Sequence, residues 1–261
     1  ANQNPLHGNG HRAPTYEHLN KDWARKVHFH IMNGDWLYEE LREHPVEAWR
    51  LAQGIEKLPE VVQVMPTIVG VWENYKLYLS RGIGLSKWHR NVPSYFTFDD
   101  HELVNDIWGS AEEGKRHRRT VFRDIGTYAW FNYLGWANPV EHDRRVHFGR
   151  ATMKKGSDLL VDVSVDFTKI PINEMGTLHV HWGTKEAGVN DMKYDNDDGH
   201  PNSYVYAIDE VLDKHTVKLH MPAKVTDTVT YSIGRRSYGS FRVSNCEFYL
   251  IDTRGDRGMH D

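Results

Sequence analysis

The stretch YFTFDDHELVNDIWG, Tyr95 to Gly109, sets an aromatic strand-like run, Tyr95-Phe96-Thr97-Phe98, directly against Asp99-Asp100-His101-Glu102, four polar or ionisable side chains in succession. Such groups at the end of an apolar segment repel one another and lose solvation unless a cation or a basic group compensates them. An α/β layer places ligand sites at its strand ends, where loops converge while the sheet holds them rigid. A second stretch has the same form. KVHFHIMNGD, Lys26 to Asp35, is a short apolar run that stops at Asn33-Gly34-Asp35, with Tyr38 following in the next turn of chain. Glycine before the aspartate lets the backbone turn sharply, so that the carboxylate faces the mouth of the sheet. Taken singly, Asn-Gly-Asp reads as a turn and the paired aspartates as a helix cap. Taken together, two strand ends bearing carboxylates can share a hard cation. A nearby histidine can then hand a proton to a leaving group or stabilise charge on a phosphoryl oxygen.

Working outward, the segment from Trp36 to Leu58 carries Leu37, Leu41, Ala48, Leu51 and Ile55 at approximately helical spacing, with Pro45 breaking or restarting the helix. Thr67 to Gly82 places Val71, Tyr75 and Tyr78 on one helical face, and Ala111 to Trp136 reads as a charged helix. The order strand, helices, strand, helix predicts an α/β arrangement. After Pro139 the pattern changes to alternating apolar and polar residues rich in Val, Tyr and Thr, as in DLLVDVSVDF and TLHVHWG, which predicts antiparallel strands. Gly183 to Ser203 has the turn-forming composition of a long exposed excursion. The expected division is a polar arm over 1–22 with one helical turn near Tyr16 to Leu19, an α/β core over 23–139, a β-rich insertion over 140–245, and a returning core strand over 246–261.

Composition removes several function classes. The 261 residues and 39% hydrophobic content suffice for one large domain or two ordinary ones. Lys plus Arg total 32 against 36 Asp plus Glu, and a net charge of -4 gives no reason to expect a nucleic acid partner. A single cysteine, Cys246, excludes an internal disulfide and a cysteine zinc cluster; it sits in an apolar strand with no neighbouring base to activate it. Neither a Gly-x-Ser-x-Gly elbow nor a phosphate-binding glycine loop occurs, since Gly8-Asn9-Gly10 follows no strand. No apolar run approaches the roughly 20 residues that span a bilayer. The chain opens at Ala1 with no signal-type segment, which suits a processed terminus, secreted or periplasmic, a trimmed chain, or a piece of something longer. The compartment stays open.

Gly34-Asp35-Trp36-Leu37-Tyr38 and Phe98-Asp99-Asp100-His101-Glu102, with Asn105-Asp106 following, resemble the GDxxY and DDHE-type motifs of the alkaline phosphatase D (PhoD-like) metallophosphatases. CEFYLIDTRGDR, Cys246 to Arg257, resembles the strand of that family that ends in Leu-Asp-x-Arg. The resemblance covers about Val27 to Asn138 and the C-terminal strand, and is poor from Val140 to Asn245. It implies a partial α/β/β/α sandwich, in α/β or α+β terms, with the β-rich region as an insertion or second unit. The implied activity is metal-dependent hydrolysis of phosphate monoesters or diesters, with iron and calcium as cofactors or another divalent metal in their place. It implies Asp35 as the bridging metal ligand, Tyr38 as a ligand to iron, and Asp100 as ligand to the second metal, with Asp99 and Asn105 as alternatives. His101 would assist the leaving group or phosphoryl charge, and Arg254 would contact phosphate through its planar fork.

Two departures shape the expectation. Relatives carry an early cysteine whose thiolate binds iron, and no cysteine precedes Cys246 here; they also carry aspartate and histidine motifs beyond the Asp-x-Arg strand, whereas this sequence stops at Gly258-Met259-His260-Asp261. The resemblance therefore implies part of a longer product or a second chain that completes the site, with poor turnover by the chain alone. His179-Val180-His181 puts two histidines on one face of a strand, with His200, His215 and His220 further along, and is the internal candidate for replacing those ligands. The aspartates at 191, 195, 197 and 198 lack the ordered spacing of a calcium loop. A rival reading is a non-catalytic binding or structural subunit that works through 140–245, with Trp182, Tyr194, Tyr204 and Tyr206 stacking on sugars or on a partner.

Overall fold

The computed structural model describes residues 14–38, 44–107, 112–115, 121–139, 146–172, 175–181, 200–235, 237–255 and 257. Trp182, Tyr194, the aspartate-rich stretch 191–198 and the start of the N-terminal arm lie outside these residues. The first part of the chain runs α1 (Pro14–Asp22), β1 (His30–Asn33), α2 (Val46–Ala52), α3 (Glu60–Val64), α4 (Ile68–Arg81), α5 (Ile83–Asn91), β2 (Ser94–Thr97) and α6 (Val121–Tyr133). Strands β1 and β2 pair in parallel from His30 opposite Ser94 to Asn33 opposite Thr97, so both reach their acidic ends on the same side. The polar arm does fold locally: α1 lies on α5, and α4 packs against α5 and α6.

The second part is strand-rich. It comprises β3 (His147–Met153), β4 (Leu159–Val161), β5 (Met175–Val180), β6 (Val205–Tyr206), β7 (Ile208–Val211), β8 (Thr216–Leu219) and β9 (Asp227–Arg235), followed by β10 (Gly239–Val243) and β11 (Cys246–Leu250). Strands β3 to β9 form a seven-stranded sheet in the order β6-β5-β9-β3-β4-β8-β7, with every neighbouring pair antiparallel. The fold is mixed α/β. Its apolar side chains gather in two cores, one among the helices and β1–β2, centred on Trp36, Tyr75, Phe98 and Trp130, the other on the sheet around Phe167, Val217 and Tyr231.

Strands β10 and β11 form a separate antiparallel hairpin, and the boundary expected at 245 falls between them. The hairpin is held by its aromatics. Phe241 stacks on Tyr95 at 3.9 Å between ring centroids, and Phe29 meets Phe241 and Phe248 edge-on at 5.6 and 5.2 Å. Offset and edge-on pairs of this kind add about 0.5–1.5 kcal/mol each beyond area burial. Their consequence is positional: the chain leaving β11 arrives at the acidic ends of β1 and β2.

Candidate metal centre

The first loop turns through Gly34 at φ 81° and Asp35 at φ 53°. A Cβ on Gly34 would lie 2.3 Å from the backbone nitrogen of Asp99, so only glycine lets the loops after β1 and β2 touch. Asp35 holds a left-handed conformation that costs a non-glycine residue about 1–2 kcal/mol. Its backbone N–H donates to Glu102 Oε2 at 3.2 Å, and its Oδ2 accepts from the Tyr38 hydroxyl at 3.5 Å. Its other oxygen, Oδ1, is buried with no hydrogen-bond partner.

The second loop closes on itself. Asp100 Oδ2 accepts the backbone N–H of Asp106 at 2.7 Å, and the Asp100 carbonyl accepts from Leu103 N at 2.8 Å, so the acid run is a tight turn and not the start of a helix. The His101 ring lies against Tyr38, 4.1 Å between centroids. One donor atom from each of Asp35, Asp100 and His101 falls within 4.8 Å of the other two. Among the described residues this is the one group of three or more such side chains spaced to hold a metal ion.

The remaining sequence candidates take other positions. Asp99 is engaged by Arg254, whose Nε donates to its Oδ1, and Arg254 Nη2 stands 3.8 Å from Asp100 Oδ1. Asp252 shapes that turn by accepting the N–H groups of Arg254 and Gly255 at 3.0 and 2.6 Å. Asn105 donates to Asp106 Oδ2 at 2.9 Å, outside the group of three. Glu102, to which sequence reasoning gave no role, is fully buried, accepting the N–H groups of Asp35, Trp36 and Asp99.

The electrostatics are those of crowded acids that Arg254 and His101 only partly offset. Burial pushes the Asp35 carboxyl above its ordinary value; His101 pulls it down and Asp100 and Asp99 push it up further. The Tyr38 phenol is raised, first by burial and then by Asp35. Glu102 is pushed up to about 7 by burial, against the pull of its backbone donors. Burial disfavours the Arg254 cation, yet Asp99 and Asp100 outweigh that and raise it. Two carboxylates, one with an orphaned oxygen, together with an imidazole and a phenol suit a hard or borderline cation.

His179 and His181 stand elsewhere in the fold. Both are buried where α6 meets the sheet: His179 lies 3.1 Å from Thr177 Oγ1 and 3.6 Å from Asp124, while His181 lies between Thr230 and Ser232 at 3.2 and 2.9 Å. His200 pairs with Asp227, His215 with the Val165 carbonyl, and His220 accepts from Ala207 N, and among the described residues none of these three joins His179 and His181 in a group spaced for a metal.

Among protein families, the model described as PhoD-like phosphatase matches residues 6–155, more than half the chain, including Asp35, Tyr38 and the Asp99 to Asn105 turn. No curated protein and no solved structure matches the chain.

Proposed function

The chain belongs to the PhoD-like phosphatase family, a family of metal-dependent phosphatase-type hydrolases, and from that premise we propose that its working centre is the Asp35, Asp100 and His101 cluster, acting on phosphate monoesters or diesters. The observation that carries this reading is the buried, unpartnered Asp35 Oδ1 beside two other donor groups. Asp35 and Asp100 would hold the cation, and the Tyr38 hydroxyl, bonded to Asp35, would be available as a further oxygen donor. A bound cation would supply positive charge to the phosphoryl oxygens and make water a better nucleophile. Arg254 adds a fixed cation whose fork matches a phosphoryl group. His101 brings an imidazole to the same space, where its protonated form hands a proton to the departing oxygen. Iron and calcium are the metals to try first beside Mn²⁺, because the donors are mostly oxygen.

Few protein donors converge among the described residues, so a weakly held ion and slow turnover by the chain alone are expected. Binding is therefore the first test. Calorimetric titration with Mn²⁺ should show uptake that Asp35→Asn abolishes, and Mn²⁺ at 100 times its Kd should stabilise the wild type by about 2.7 kcal/mol but leave the variant unmoved. Hydrolysis of p-nitrophenyl phosphate and its bis-ester should be metal-dependent and lost in the same variant. His101→Gln should lose turnover while keeping more of its Mn²⁺ uptake than Asp35→Asn does. Hydrolysis that persists in Asp35→Asn, or that ignores a chelator, would overturn the assignment.

A further inference from the structure

The parallel pairing of β1 and β2 ends at Asn33 opposite Thr97, before either site carboxylate. Beyond that point no backbone ladder sets the separation of the two loops. Glu102 bridges them. Although it stands in the acid run, its side chain is wholly buried, and both its oxygens are occupied by backbone donors from the two loops. Oε1 accepts from Trp36 N; Oε2 accepts from Asp35 N at 3.2 Å and Asp99 N at 3.0 Å. One amide belongs to Asp35 itself, another to the residue before Asp100. The far side is also fixed, because α6 brings Gly126 so close that a Cβ there would stand 2.9 Å from the Glu102 carbonyl oxygen and 2.6 Å from Leu103 Cα.

A carboxylate stripped of water is costly unless donors replace the water, and hydrogen bonds to an ionised acceptor are the strong kind. A residue that merely finished the Asp99 turn would need only the Asp99 amide. Glu102 takes amides from both loops, so beside the close Gly34–Asp99 approach it is the side chain that ties the two together. We propose that Glu102 is a positioning residue that sets the separation of the Asp35 and Asp100 carboxylates, and hence the fit of the cation between them. This rests on the metal-centre reading above. Partners that orient metal ligands in this way typically change affinity by about 10- to 100-fold when altered.

Glu102→Gln keeps the shape but turns one acceptor arm into a donor facing a backbone N–H. We expect it to lower Mn²⁺ affinity by roughly tenfold or more, and to shift the amide proton resonances of Asp35, Trp36 and Asp99 upfield. Glu102→Asp, which keeps the charge but shortens the reach, should not restore the affinity. Should neither variant fold, hydrogen exchange on the wild type decides the matter: the amides of Asp35, Trp36 and Asp99 should be protected, and exchange at the rate of open loops overturns the proposal. Wild-type affinity in a folded Glu102→Gln, with Asp35→Asn still unable to bind, overturns the positioning role alone. Equal Mn²⁺ binding by wild type and Asp35→Asn overturns the metal-centre reading, and this proposal with it.

Discussion

At the scale of single residues, the centre depends on Gly34 as much as on any acid. Alanine there carries two costs: the backbone stays at φ 81°, unfavourable to any side chain, and its Cβ would overlap the Asp99 backbone at 2.3 Å. Gly34→Ala is expected to lower stability by about 1–3 kcal/mol and to weaken Mn²⁺ binding by separating the loops. Urea denaturation and calorimetry check both, and wild-type stability would show that the loops adjust freely. The acids were legible in the sequence because a glycine before an aspartate and paired aspartates after an aromatic run are local signals. The role of Glu102 was not, since its partners include backbone amides 66 and 67 positions away, which no side-chain pattern encodes. Asp99 reads as a ligand candidate for the same reason that it attracts Arg254: a half-buried carboxylate accepts either cation.

At the scale of elements, α6 shows what periodicity reveals and what it misses. Its apolar residues Phe122, Ile125, Ala129 and Trp130 join the helical core, although the stretch reads from its sequence only as a charged helix. The buried Arg123-Asp124 pair faces the sheet. There Arg123 donates to Thr177 Oγ1 at 3.0 Å, and Ser232 donates to Asp124 at 2.5 Å. Helices α3 and α5 escape the sequence reading because they are short and bounded by Pro59 and Gly82. The parallel pairing of β1 with β2 is invisible for another reason, since alternation gives faces but never partners. Buried histidines, one in this network and one in the helical core, make stability depend on pH. His181, facing Asp124 and His179, is lowered to about 3 by burial, and His89 to about 4 by burial and by His30. Both imidazoles are neutral in the fold and take up a proton on unfolding below their ordinary value of 6.5. Their contribution is complete above that pH and is lost as the pH falls towards 4 and then 3. Asp124, buried but held below its ordinary 3.8 by Arg123 and His179, acts only below that window. Stability should therefore fall by up to about 1.4 kcal/mol per pH unit for each histidine between pH 6 and 4.5. His181→Gln should remove one share of that slope in urea titrations, and an unchanged slope would mean that His181 is not kept neutral.

At the scale of the whole molecule, the centre is assembled from distant chain segments, and the last to arrive carries the opposite charge. The aromatic contacts of Phe29, Tyr95, Phe241 and Phe248 seat the β10–β11 hairpin over β1 and β2, and the Asp252 turn then lays Arg254 on Asp99, 155 positions earlier in the chain. The pair is partly exposed, with the Arg254 side chain 17% accessible, so it contributes little to stability, about 0–1 kcal/mol. Its effect on ligands is larger and has two signs. A fixed positive charge beside Asp99 and Asp100 opposes a metal cation in the same field, while it attracts a phosphoryl group brought to that cation. Arg254→Gln removes the charge and keeps most of the bulk. Mn²⁺ affinity should rise severalfold while the affinity for inorganic phosphate, titrated in saturating Mn²⁺, should fall by about tenfold or more, the 1.5–3 kcal/mol of a hydrogen bond to a charged group. If phosphate affinity were unchanged, Arg254 would be only the counter-ion of Asp99. Should Mn²⁺ affinity fall instead, the arginine would matter chiefly as a strut that keeps the acidic turn in place, and the mild loss of thermal stability expected here would be a large one. Opposite shifts for the two ligands in one folded variant are what a phosphate-binding arginine beside a metal centre requires, because a strut would weaken both.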